Sequence, residues 1–167
     1  MKRRLIASLA MGAAVVLTTS GCAMLSTQAT TIQYSPADGV NVYNEGPLLV
    51  RNALIVTDEV GADGNLVAAI VNPTDKGTML KIEVADGGPS TQVWVDANSV
   101  LSLGDGDTPA ELLEGIDTPP GADVSVYFQS GDVDGSVVDV PVLDGELTYL
   151  ADHVPGFNDP EADLNAD

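Results

Sequence analysis

Few side chains in this sequence could do chemistry, and most stand alone in their kind. Cys22 is the only thiol and His153 the only imidazole in 167 residues. A single cysteine excludes an internal disulfide framework and any Cys-cluster zinc or iron–sulfur site. A serine–histidine–aspartate relay would need His153 held rigidly beside a serine, yet an acidic, proline-containing stretch follows it. Asp105 with Asp107, and Asp132 with Asp134, are pairs of hard oxygen donors of the kind calcium prefers. Neither pair continues into EF-hand spacing, and Asp132-Val133-Asp134-Gly135 reads more simply as a hairpin turn. Hydrolysis by paired carboxylates would need two acids facing each other across a cleft, and no pair is marked by its context. Arg51 lies inside an apolar run, where a lone cation in so acidic a chain is expected to pair with a carboxylate. The expectation is therefore no catalytic residue and no cofactor, with weak calcium binding at those four aspartates as the metal alternative.

Cys22 takes its meaning from position. Lys2-Arg3-Arg4 precedes an uncharged, mostly apolar run of 13 residues, Leu5 to Leu17, and then Thr18-Thr19-Ser20-Gly21-Cys22. A positive start, a short apolar stretch and small residues before a cut are the layout of an export signal. The run falls short of the roughly 18 residues a spanning helix needs. Thr19-Ser20-Gly21-Cys22 resembles the lipobox of bacterial lipoproteins, with Thr19 standing where the pattern more often has Leu. The resemblance implies a signal peptide over 1–21, cleavage between Gly21 and Cys22, and a diacylglyceryl group on the Cys22 sulfur. Two acyl chains of palmitate type suffice for stable anchoring, since each buried methylene adds about 0.8 kcal/mol. Residues 22–31 read as a lipidated tether, and the chain is expected on the extracytoplasmic face of the cell membrane.

With 25 acidic and 6 basic side chains the formal net charge is −19. Loss of residues 1–21 would remove three cations and no anion, leaving −22 on 146 residues with Arg51, Lys76 and Lys81 as the only cations. Such a surface repels nucleic acid and anionic headgroups, so the lipid alone must anchor the chain. The cationic stripe of a nucleic-acid binder is excluded.

The elements that would position any site read as strands. Asp-Gly recurs at 38–39, 63–64, 86–87, 105–106, 134–135 and 144–145, a dipeptide suited to tight hairpin turns. Between these lie runs rich in Val, Leu, Ile and Thr: 40–43, 48–57, 66–72, 79–85, 92–95, 100–103, 124–129, 136–142 and 147–150. Leu80, Ile82 and Val84 share one face opposite Lys81 and Glu83. Val124, Val126 and Phe128 do the same opposite Ser125 and Tyr127. Period two with turns every 8–12 residues or so predicts an all-β sandwich over residues 32–154. Ala110–Glu114, between Pro109 and Gly115, is expected to form one helical turn. Residues 155–167, with two prolines, several acids and no cation, read as an acidic disordered tail.

Gly46–Val56, Leu66–Pro73, Asp75–Leu80 and the closing Val138-Asp139-Val140-Pro141-Val142, together with the lipobox, resemble small actinobacterial cell-envelope lipoproteins distantly similar to periplasmic copper chaperones of the PCuAC type. The resemblance implies an immunoglobulin- or cupredoxin-like Greek-key sandwich. Chaperones of this type bind Cu(I) through two histidines and two methionines, soft ligands suited to that ion. Met24, in the tether, and His153, beyond the last family-like strand, match no motif position. Met79 is expected to be core filling. No copper ligand is carried over. The resulting expectation is a lipid-anchored, non-catalytic binding or assembly module whose partners are the membrane, through Cys22, and an envelope protein or ligand. A degenerate copper chaperone or a weak calcium binder is the alternative. Replacing Cys22 by Ala should release the protein from the membrane fraction or stop its processing, and a processed Cys22→Ala chain still held on the membrane would refute the lipid anchor.

Overall fold

In the strand Thr78–Val84, Leu80, Ile82 and Val84 are buried and Lys81 and Glu83 point the other way, the alternation a half-buried strand demands. The computed structural model describes residues 4, 6, 37–43, 46–58 and 60–157. The chain divides into two units, Met1–Tyr34 and Ser35–Asp167. Of the first, only Arg4 and Ile6 are described, both helical. The expected signal peptide, Gly21, Cys22, Met24 and the tether thus lie almost wholly outside the described residues, as does 158–167 of the expected tail. Residues 155–157 form a turn.

Among the described residues the second unit carries nine strands: β1 (Val40–Val42), β2 (Leu49–Thr57), β3 (Gly64–Asn72), β4 (Thr78–Val84), β5 (Ser90–Val95), β6 (Ser99–Leu103), β7 (Glu111–Leu113), β8 (Asp123–Ser130) and β9 (Ser136–Leu143). Their order is β5-β4-β8-β9-β2-β3-β6, with β1 added to β2 and β7 to β3. All pairs are antiparallel except β2 with β9. β9 pairs with β8 over Ser136–Pro141, then with β2 through Val142 and Leu143. Pro141, which has no N–H to give a ladder, sits where β9 changes partner. This strand joins the two layers of an all-β, immunoglobulin- or cupredoxin-like Greek-key sandwich, the fold the sequence predicts. Phe128, Ile55, Ile70, Leu80, Ile82 and Val126 fill the space between the layers with almost no exposure.

Of the six Asp-Gly pairs, Asp86-Gly87 forms a two-residue hairpin turn. Both residues have positive φ, 60° and 85°, as a type I′ turn requires. Ala85 accepts from the Gly88 N–H at 3.2 Å. Asp134-Gly135 lies in the longer β8–β9 hairpin connection, where the positive φ belongs to Gly131.

β2 breaks the period-two rule. Its register against β3 slips by one residue between Arg51 and Leu54, and Asn52 there has φ 51°. The bulge reverses which residues face inward. Val50, Ala53 and Ile55 enter the main core, while Leu54 and Val56 are buried on the opposite face against Leu150, with Val67, Leu143 and Val154 around them.

Two expected elements are corrected. Ala110–Glu114 is not a helical turn: Glu111–Leu113 pairs with β3, Leu66 opposite Glu111 and Gly64 opposite Leu113. A single turn fixes several dihedrals for one hydrogen bond, whereas the open edge of β3 supplies backbone partners at once. Residues 147–150 are not a strand but a turn running into a 3-10 helix at Ala151–His153. Leu150 donates its N–H to the Leu147 carbonyl at 2.8 Å and plugs the apolar outer face of β2. Asn65 Nδ2 holds this segment by donating to the His153 carbonyl at 2.8 Å. Tyr149 donates to Asp38 Oδ2 at 2.6 Å, a bond that holds its phenol above the ordinary tyrosine range.

Leu150→Ala should destabilise the domain by about 2–3 kcal/mol, as truncation of a buried leucine does. Phe157→Ala, at an exposed position, should change stability by no more than about 0.5 kcal/mol. Urea denaturation of both variants checks this, and equal effects would show that the segment does not cap β2.

Candidate ligand-binding face

The outer surface of β5, β4 and β8 is open, and its largest side chain is Trp94, the only tryptophan in the chain. Period two turns Val93 and Val95 inward and Trp94 outward, where it remains 55% exposed. Met79 stands directly opposite it in the β4–β5 register, a position from which a thioether can meet an aromatic ring. The indole is nonetheless seated. A Cβ on Gly77 would lie 2.3 Å from Trp94 Cζ2, so only glycine lets the ring rest where it does. The Nε1–H donates to Asp96 Oδ1 at 2.9 Å.

Asn72 fixes the loop that carries Gly77. It is 1% exposed, and its Nδ2 donates to the carbonyls of Lys76, at 2.8 Å, and Val95, at 3.1 Å. Its Oδ1 accepts from the Thr74 N–H and hydroxyl, at 3.0 and 2.7 Å. One buried amide therefore ties the residue before Gly77 to the residue after Trp94 and leaves no polar atom of its own unpaired.

Around the ring lies a depression of about 390 Å³, with Met79, Lys81, Gln92, Gln129 and Asp132 in its lining. Such a volume falls within the range of small-ligand sites. Lys81 is not a free cation there. It is ion-paired with Glu83 and sits 5.8 Å from the centre of the Tyr127 ring. The hydrogen bond to Glu83, aided by its charge, raises the ammonium pKa.

Of the aspartates singled out in the sequence, Asp132 lines this depression, and Asp134 is exposed in the same connection. Asp105 and Asp107 are exposed between β6 and β7, where Asp105 bridges to Thr108. Among the described residues no group of three or more His, Cys, Asp or Glu side chains comes together. His153 and Met79 line separate depressions, His153 beside Gly104 and Thr108.

Two readings are corrected here. Met79 is not core filling: it is 41% exposed, because it shares the parity of Lys81 and Glu83. Arg51 has no carboxylate partner among the described residues; its guanidinium lies 5.7 Å from the centre of the Tyr43 ring and its Nη1 donates to the Val50 carbonyl. A guanidinium at an outward position finds an aromatic ring on the adjacent β1 end instead. Trp94 itself is not singled out by sequence reasoning. Its signals were its uniqueness and its outward parity within β5.

No family model and no curated protein matches the chain. Among solved structures it is similar to the copper-bound PCuAC domain from PmoF2, at 12% identity and a TM-score of 0.48, over 63% of this chain and 99% of that one. It is also similar to the apo PCuAC domain from PmoF1, at 15% identity and a TM-score of 0.48, over 60% and 97% of the two chains. The distant similarity to PCuAC-type domains read from the sequence recurs in these structures.

Gly77→Ala should unseat the indole and move Trp94 emission to longer wavelength, with the far-ultraviolet signature of the sheet unchanged. Fluorescence of the purified domain reads this directly because no second tryptophan contributes. Unaltered emission would show that Gly77 does not seat the ring.

Proposed function

We propose that this chain is a lipid-anchored, non-catalytic binding module on the extracytoplasmic face of the cell membrane, and that it binds through the surface around Trp94. The observation that carries the reading is an aromatic ring held in one place yet left uncovered. An indole half open to water forgoes burial worth roughly 25 cal/mol per Å². Here that exposed ring is positioned by a glycine beneath it, a carboxylate on its N–H and a buried amide behind the loop. Rigid, uncovered aromatic side chains flanked by polar groups are what binding surfaces use as anchors. Support for a non-catalytic role comes from the content of the face: its lining has carboxylate, amide, thioether, an ion-paired amine and the Thr78 hydroxyl, and the chain's one imidazole, the base that would activate such a hydroxyl, lines another depression. The signal layout and Cys22 support the anchor. No helix among the described residues is long and apolar enough to cross a membrane.

The test is site-specific photo-crosslinking in the full-length chain in its own envelope. A benzophenone side chain at Gln92, beside Trp94, should give a discrete adduct, and the adduct should vanish when Trp94→Ala is added. The same group at exposed Leu112, on β7, should give none. Equal adducts at both positions, or an adduct at 92 indifferent to Trp94→Ala, would overturn the assignment of the face.

A further inference from the structure

We infer that the ligand seated on Trp94 is the neutral pyranose ring of a glycan; this rests on the reading of that surface as the binding face. The indole offers a ligand only its π-surface, since its N–H is already given to Asp96 and part of its six-membered ring lies on Gly77. A partner must therefore stack rather than hydrogen-bond to it. The aliphatic C–H face of a sugar ring carries slight positive charge and suits the negative face of an aromatic system.

The rim supplies the other half of the match. Gln92, Gln129 and Asp132 are in the lining; the Gln92 amide both donates and accepts, Gln129, whose Nε2 is given to the Gly131 and Val133 carbonyls, offers its carbonyl as an acceptor, and a carboxylate accepts from hydroxyls. A polyhydroxylated ring with one apolar face uses both parts. The charge on the page disfavours other occupants. An anionic ligand would meet a chain of net charge −19 whose lining cation, Lys81, is already paired with Glu83. A cation would meet a single ring instead of an aromatic cage. A purely apolar segment would leave the amides and Asp132 without water or partner.

Because Trp94 is the sole tryptophan, its emission reports occupancy by any ligand. The full-length chain, held in detergent, is titrated with four neutral hexasaccharides: of glucose in α-1,4 and β-1,4 linkage, of mannose, and of N-acetylglucosamine. At least one should give a saturable change in Trp94 emission. Calorimetry with that sugar should show at least a ~10-fold loss of affinity in Trp94→Ala, with Trp94→Phe keeping binding within about 5-fold because a stacking face remains. Thermal melting of both variants checks that they fold. No saturable change with any of the four sugars, or undiminished binding by a folded Trp94→Ala, would overturn the saccharide assignment. The two readings are separable by the crosslink from position 92. An adduct that depends on Trp94 and is removed by protease but not by periodate leaves the face standing and rejects the glycan. Absence of both adduct and sugar response rejects both.

Discussion

One extra residue in β2 governs much of the architecture. With Asn52 in the left-handed region, the register against β3 slips by one, and the residues that follow are buried on both faces. Asn52 can hold this conformation because it is bonded on both sides: its N–H donates to Asn41 Oδ1 at 3.1 Å and its Oδ1 accepts from the Gly39 N–H at 2.8 Å. Those bonds fix β1 to the bulge. A strand apolar on both faces then needs a second cover, and the turn after β9 provides it with Leu150 and Val154. The start of the domain, the bulge and the C-terminal cap thus form one dependency, closed by the bond from Tyr149 to Asp38.

Period two made the strands legible, since a strand with one wet face writes that face into its sequence. Val124, Val126 and Phe128 against Ser125 and Tyr127 is such a record, and β8 follows it. Failures occurred where a local pattern was overruled by a distant partner. Glu111-Leu112-Leu113 carries helix-forming residues, but a vacant edge on β3, nearly fifty residues earlier, claims its backbone. Leu147–Leu150 has strand-like composition, but what it meets is the outer face of β2, which needs one plug and not a ladder. The bulge itself was hidden in Arg51-Asn52: nothing local distinguishes an asparagine that will take positive φ from one that will not.

The candidate face was less legible for a related reason. That Trp94 points outward follows from Val93 and Val95 pointing inward, and this much was in the sequence. That its ring rests on Gly77 depends on the path of the β3–β4 connection, which Asn72 sets through bonds to Lys76 and Val95. Met79 was misread because it was grouped with apolar neighbours by type, although its parity places it with Lys81 and Glu83. Arg51 was misread by charge counting, since Tyr43 offers a partner that carries no charge.

These pieces bear on how such a face can bind at all in a chain this acidic. A surface of one charge sign attracts or repels at a distance, but it does not shape contact. On the outer side of β4 Lys81 is paired with Glu83, so what remains to select a ligand is the ring, the thioether, the flanking amides and the Asp132 carboxylate. A side chain already seated surrenders little freedom when a ligand arrives, and that saving is the physical meaning of preorganisation. Asn72, buried and fully bonded, fixes the distance between the glycine and the ring. The acidic surface as a whole repels anionic lipid, while around Trp94 the one lining cation is held in its pair with Glu83.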